Sequence, residues 1–260
     1  MDYDVVIVGG GPSGLSAAIK LAQLFKEKKQ EKSICVLEKS AEIGGHILSG
    51  NVFETTALDE LIPDWKEKNA PLNVPVKKDA IKFLLNDKLS IPVPSFLMPT
   101  MKNHGNYIIS LANLCRWLAE QAESLGVDIF PGFPAAEIIY KEGKVAGVIT
   151  GDMGKDSKGN EKDSFQPGME IFANESTVFA EGCRGNLGKQ LIKKFELDKG
   201  KDPQHYGIGF KEIWEVDNEH HSEGLVMHTN GWPLPDDTPG GSYMYHAENK
   251  QVLLGLVVPL

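Results

Sequence analysis

The feature that most constrains this chain is a cluster of glycines where a strand gives way to a helix. Val5 to Val8 is a short β-branched run, and Gly9-Gly10-Gly11-Pro12-Ser13-Gly14 follows it directly. From Ser13 to Lys28, apolar residues at Leu15, Ala18, Ile19, Ala22 and Phe25 recur at helical spacing. Ser33 to Leu37 then resumes as a buried strand with Glu38 at its carboxyl end, which completes a βαβ unit. In this G-x-G-x-x-G, Gly9 permits a tight turn, Gly11 lets main chain approach a pyrophosphate, and Gly14 allows close helix-to-strand packing. Pro12 and Ser13 open the helix, whose free N–H groups and positive dipole end favour an anion. Glu38, 24 residues beyond Gly14, is placed to take ribose hydroxyls. The bland alternative for the hexapeptide is a structural glycine turn.

Beyond this unit, Gly44 to Thr56 reads as a loop, and prolines recur among short apolar runs from Pro63 to Pro99, as in an insertion. Leu111 to Leu125 is a second helix, with Leu111, Leu114, Cys115, Leu118 and Ala122 on one face, Gly126 as its stop and a strand at Val127 to Phe130. Ala135 to Tyr140 and Lys144 to Thr150 form a hairpin around Glu142-Gly143, and Gly151 to Gly168 is a solvated turn region. Short strands at Glu170 to Ala173 and Ser176 to Phe179 precede a helix at Asn186 to Phe195. After Asp198 the pattern becomes alternating strands of antiparallel character: Tyr206 to Val216, Gly224 to His228, Ser242 to His246 and Gln251 to Val258. His220 and His221, if on a strand, point to opposite faces and do not chelate together.

Composition removes several function classes. With 27 Lys and Arg against 36 Asp and Glu, and no long basic run, nucleic acid is set aside as a partner. Cys35, Cys115 and Cys183 are odd in number and far apart, which argues against a disulfide framework and for a reducing compartment. The start lacks a basic or Arg-rich leader, so the mature protein is expected to begin at Met1. The longest apolar stretch, Val252 to Leu260, falls far short of the ~20 residues that span a bilayer. Because the sequence ends inside strand-like material, a truncation is expected there.

Glu38-Lys39-Ser40-Ala41-Glu42-Ile43-Gly44-Gly45 resembles the E-K-x-x-x-x-G-G signature of flavoproteins of the glutathione-reductase type, where Gly44 and Gly45 would let main chain pass beside a flavin. That resemblance favours FAD over NAD. Thr177 to Gly182, with Glu181 and Gly182 at its end, looks like the strand by which such folds return to the cofactor. Further segments resemble the electron-transfer flavoprotein:ubiquinone oxidoreductase family: Ile47 to Phe53, Asn103 to Tyr107, Phe179 to Cys183, Gly207 to Glu212 and His228 to Leu234. The likeness runs nearly end to end and concerns the amino-terminal half of the family's chain.

The resemblance implies a glutathione-reductase-type FAD-binding Rossmann domain with an inserted antiparallel β-rich quinone-binding domain, truncated at the C-terminus. The corresponding boundaries are 1–72 for the first part of the FAD-binding domain, 73–104 for a quinone- and membrane-side insertion, 105–197 for the second FAD part, and 198–260 for an incomplete quinone-binding domain. It further implies electron flow from reduced electron-transfer flavoprotein through FAD to membrane ubiquinone, with a [4Fe-4S] cluster only in the absent C-terminal region. No catalytic base and no metal ligand is assigned, since the cofactor carries the chemistry. The family's Tyr-Gly-Gly-Ser quinone contact aligns with Pro239-Gly240-Gly241-Ser242, so Gly240 and Gly241 carry over and the tyrosine does not; the local alternative is a type II turn. Phe96, Leu97 and Met98 are read as a membrane-facing lip, with core packing as the alternative. His46, His228 and His246 could approach flavin or quinone but read better as satisfied or solvated histidines. The expected location is peripheral, on the cytoplasmic face of a bacterial inner membrane. Two rival readings are a geranylgeranyl-reductase-like flavoprotein acting on prenyl lipids and a non-catalytic FAD-binding fragment.

Overall fold

The computed structural model describes residues 1–48 and 50–260, so Ser49, within the 47–53 segment, lies outside the described residues. In chain order the first elements are β1 (Asp2–Val8), α1 (Pro12–Glu27), β2 (Ile34–Glu38), β3 (Asn51–Phe53), α2 (Thr56–Leu61), β4 (Val74–Pro75), β5 (Lys78–Leu84) and β6 (Ser90–Pro92). Two short 3₁₀ turns, Ser95–Leu97 and Pro99–Met101, lead to β7 (Tyr107–Ile109), α3 (Leu111–Ser124), β8 (Asp128–Pro131), β9 (Ala135–Lys141) and β10 (Lys144–Thr150). Then come β11 (Met153–Lys155), β12 (Glu161–Gln166), β13 (Glu170–Phe179), α4 (Asn186–Phe195), β14 (Gly207–Glu215), β15 (Leu225–Gly231), β16 (Gly241–His246) and β17 (Gln251–Pro259).

The chain divides into two compact units, 1–47 with 115–201 and 48–114 with 202–260. In the first, a six-stranded sheet has the order β8-β2-β1-β13-β10-β9. β8, β2, β1 and β13 run parallel, while β10 and β9 continue the sheet antiparallel. Val5, Val6, Ile7 and Val8 are all buried, as are Ile34, Cys35, Val36 and Leu37. Strands buried on both faces read as unbroken apolar runs, which is why these two were legible without alternation. α1 covers the sheet with Leu15, Ala18, Ile19 and Ala22, and full burial of Leu15 and Ile19 contributes roughly 1.5–3 kcal/mol each.

The second unit holds a mixed six-stranded sheet of order β14-β17-β16-β15-β5-β6 and a small sheet of order β3-β7-β4. Strands β14 to β17 pair antiparallel, as the sequence suggests, but β15 also pairs parallel with β5 over Lys78 to Leu84. The segment read as an insertion therefore builds the same sheet as the carboxyl-terminal strands. Residues 48–72 and 105–114 also group with this unit, where Val52 packs against, and Ile108 belongs to, the core of Val74, Val226, Tyr245, Ala247 and Leu253.

Smaller differences have local causes. The loop expected at 44–56 contains β3, held by β7, and α2 follows it. The turn region 151–168 holds a two-stranded hairpin of β11 and β12, in keeping with its charged, glycine-rich sequence. The two strands expected within 170–179 are one, with its irregularity opposite Tyr3 to Val5. His220 lies in a turn, where its ring meets the Asp217 carboxylate at 2.6 Å, and His221 bonds the Ala247 carbonyl, so neither sits on a strand.

Candidate functional site

At the carboxyl end of β1 the chain turns at Gly9, whose φ of +110° few side chains tolerate. Gly9 donates to the Leu37 carbonyl at 2.8 Å, and Ala180 donates to that of Val8 at 2.8 Å, so the ends of β1, β2 and β13 converge here. The glycines differ in what a side chain would meet. A Cβ on Gly9 would strike the Ala180 carbonyl, one on Gly10 would come within 2.6 Å of the Ile43 Cδ1, and one on Gly14 would strike the Gly9 carbonyl oxygen. A Cβ on Gly11 meets no protein atom within 4 Å. Protein therefore fills the space beside Gly9, Gly10 and Gly14, while Gly11 opens on a cradle.

Gly11 is also the N-cap of α1, in extended conformation, and no side chain caps that helix end; Pro12 occupies the first turn and Ser13 is exposed. The amides of the first turn are thus left for a ligand, at the positive end of the dipole. Half-buried Glu38 accepts from Gly10 N at 2.9 Å through Oε2 and from Ser40 N at 2.8 Å through Oε1. These bonds fix the carboxylate beside the glycine turn and leave lone pairs on both oxygens. Gly10 and Ser40 were not among the residues singled out from sequence; the unbroken Gly9-Gly10-Gly11 run was the available signal for the first.

Lys39 is exposed beside this cluster. Gly44, buried with φ of +83°, and exposed Gly45 close a turn in which Gly45 N donates to the Glu42 carbonyl at 3.2 Å. A Cβ on Gly45 would strike the Ser40 hydroxyl, so this glycine is demanded by the local packing. Glu181 has a structural task in this unit. Its two oxygens accept from Leu187 N at 3.1 Å and Gly188 N at 2.7 Å, capping α4. Gly182, at φ +79°, is exposed with nothing within 4 Å of a Cβ. Buried Cys115 lies in the field of Glu38, and burial first, then that charge, pushes its thiol up to about 11; burial likewise drives Cys35 to about 12.

In the second unit, Gly240 has φ +156°, not the ~+80° of a type II turn. A Cβ there would come 2.6 Å from the Val257 carbonyl, and one on Gly241 would strike the Thr229 carbonyl. Close strand packing is therefore sufficient reason for both glycines. Ser242, which follows them, lines an open-sided cavity of about 430 Å³ with Phe210, Met227, Thr229, Met244 and Leu254. His228 bonds the Tyr245 hydroxyl at 2.9 Å, its Nδ1 is buried without a partner, and burial holds its pKa below the usual imidazole value. His246 is buried and accepts from Ser222 N at 3.0 Å.

Phe96 and Leu97 are 72% and 62% exposed, so they are not core, whereas Met98 is half-buried. The apolar surface is wider than the sequence indicated. The β5–β6 hairpin also exposes Phe83, Leu85, Leu89 and Ile91, with Phe83 and Ile91 cross-strand partners. Among the described residues no helix is long and apolar enough to cross a membrane.

Known proteins resemble this chain in both units. Residues 7–62 match the family model described as NAD(P)-binding Rossmann-like domain, and 206–260 match ETF-QO, ubiquinone-binding. The Pseudomonas aeruginosa electron transfer flavoprotein-ubiquinone oxidoreductase is 59% identical over all of this chain and 48% of its own length. Over its whole length, then, the chain resembles electron transfer flavoprotein-ubiquinone oxidoreductase. It spans about half the length of the curated relatives it matches. Among solved structures, a geranylgeranyl bacteriochlorophyll reductase-like protein of Thermoplasma acidophilum superposes with TM-score 0.64 at 18% identity, covering 98% of this chain and 56% of that one. CtdE in complex with FAD gives 0.60 at 18% identity, covering all of this chain and 60% of that one. At such identity these two speak for the fold, a Rossmann-type α/β unit joined to a β-rich unit. The 206–260 match covers β14 to β17, and with them Gly240, Gly241 and most of the cavity lining.

Proposed function

We propose that this chain supplies the flavin- and quinone-binding portion of an oxidoreductase that passes electrons from reduced electron transfer flavoprotein to ubiquinone. The observation that carries the proposal is the cradle at Gly11: open space beside an uncapped helix N-terminus, flanked by Gly9 and Gly14, where a side chain would strike backbone, next to a carboxylate fixed by Gly10 and Ser40. Those residues fit a dinucleotide. Gly11, Pro12, Ser13 and Gly14 would hold the diphosphate of FAD, Glu38 the ribose, and Gly44 and Gly45 main chain beside the flavin, with Gly9 setting the turn. Lys39 and Gly182 border the site, and Glu181 acts by capping α4. Bound FAD would supply reversible electron transfer. The flanking glycines fix its position, and no side chain is asked to act as a base.

The cavity of about 430 Å³ lined by Ser242, the residue after Gly241, is within the usual size of small-molecule sites and is our candidate for the quinone. The exposed rim of Phe83, Leu85, Leu89, Ile91, Phe96 and Leu97, with half-buried Met98 beside it, would rest in a bilayer interface and give a lipid-soluble quinone an apolar approach. This reading places the protein peripherally, on the cytoplasmic face of a bacterial inner membrane. Cys35, Cys115 and Cys183 do not make the four-thiolate set of a [4Fe-4S] cluster, and no step is derived through one.

The test is anaerobic. FAD-loaded protein, photoreduced and mixed with ubiquinone-1, should regain its oxidised spectrum while quinol forms. Retention of the reduced spectrum with quinone, together with reduction of an added prenyl lipid, would replace this reading with the reductase one.

A further inference from the structure

The first unit carries a second exposed apolar surface, at α4. α4 is anchored by buried Leu187 and by Phe195, whose ring lies 6.3 Å from that of Tyr140 on β9. Its last turn nonetheless leaves Ile192 38% and Phe195 42% exposed, and Leu197 beyond it 56%. Glu196 adopts a left-handed conformation, φ +50°, and Leu197 N donates to the Ile192 carbonyl at 3.0 Å. This helix ending folds the chain back so that the Leu197 backbone meets that of Ile192.

Lysines flank these apolar residues in sequence. Residues 186–201 contain Lys189, Lys193, Lys194, Lys199 and Lys201 against Glu196 and Asp198, a local excess of positive charge in a chain whose net charge is −9. Lys194 lies over the Tyr140 ring at 3.7 Å and Lys199 pairs with Glu196, while Lys189, Lys193 and Lys201 are exposed. Lys26 to Lys32 is also lysine-rich but contains no apolar side chain, whereas the β5–β6 hairpin carries exposed Lys78 and Lys88 along with its own apolar residues, so α4, like that hairpin, combines basic charge with apolar exposure.

We propose that α4 and the turn after it, Asn186 to Lys201, form a docking surface for anionic phospholipid. A bilayer interface offers headgroup phosphates and an acyl boundary a few ångströms apart, which matches three exposed apolar side chains flanked in sequence by lysines whose stems can extend toward the headgroups. A chain of net −9 is repelled by such a surface as a whole, so a basic patch of this kind sets which face approaches. The inference does not depend on the flavin or quinone reading: protein that binds no FAD would still carry the surface.

Co-sedimentation of the whole chain with vesicles tests it, comparing pure phosphatidylcholine with phosphatidylcholine containing about a third phosphatidylglycerol. Lys189→Ala with Lys193→Ala should weaken partitioning onto the anionic vesicles roughly tenfold, leave partitioning onto neutral ones unchanged, and lose its effect near ~1 M salt. Ile192→Ser with Leu197→Ser should weaken anionic binding as well. Circular dichroism of each variant should match the parent, since all four side chains are exposed. Anionic-vesicle binding equal to wild type in both folded pairs would overturn the proposal.

Discussion

Gly11→Val separates the cofactor site from the fold that builds it. Gly11 sits at φ −83° and ψ −177°, a conformation open to any residue, and a Cβ there meets nothing of the protein within 4 Å. The substitution should therefore change the stability of the FAD-free protein by no more than about 1 kcal/mol. The bound state is different, because a branched side chain occupies the volume through which a diphosphate reaches the α1 amides. Hydrogen bonds from amides to a charged oxygen contribute about 1.5–3 kcal/mol each. Loss of two costs about 3–6 kcal/mol, or about 10²- to 10⁴-fold in Kd. Flavin fluorescence titration of wild type and variant, with urea unfolding of both without FAD, reads the two quantities separately. Equal FAD affinity in the two proteins would refute the placement of the diphosphate; an unfolded variant would refute the claim that the cradle is empty of protein atoms.

Gly14→Ala should behave oppositely, since its Cβ lands on the Gly9 carbonyl; urea unfolding should register a loss of about 1–3 kcal/mol even without FAD. Glu181→Ala removes the acceptor for Leu187 and Gly188, so the protein should lose about 0.5–2 kcal/mol while FAD affinity stays within about threefold of wild type. A large loss of affinity with unchanged stability would instead put that carboxylate on the cofactor. His228 and His246 have folded-state pKa values depressed by burial, the second also by His221. Unfolding then takes up protons, so their contribution is present above about pH 6.5 and is lost as pH falls through the depressed values. Urea midpoints at pH 7.5 and 5.5 should show the lower stability at 5.5, and a flat profile would count against the burial of both rings.

The glycine turn was legible because its residues answer to local geometry. Gly9 needs a positive φ, Gly14 needs absent Cβ volume, and both demands act within one βαβ unit where strand and helix are neighbours in sequence. The hairpin at Glu142-Gly143 was legible for the same reason, with positive φ at both positions. What escaped the sequence depends on distant partners. β5 pairs parallel with β15 across some 150 residues, and no alternation within Lys78 to Leu84 announces that partner. The acidic end of β13 suggested a cofactor contact for Glu181, and the bonds it makes to the α4 amides six and seven residues on were not legible there. Gly240 and Gly241 suggested a ligand, while neighbouring carbonyls already require them to lack side chains. The apolar hairpin around Phe83 and Ile91 was hidden because exposure is a property of the assembled sheet, not of composition.

The most direct measurement is FAD retention by the purified chain: incubation with excess FAD, gel filtration, and the visible spectrum of the protein peak. The account predicts one FAD per chain with oxidised flavin bands, displaced by competing ADP. A colourless peak from folded protein, or flavin that ADP leaves in place, would contradict it.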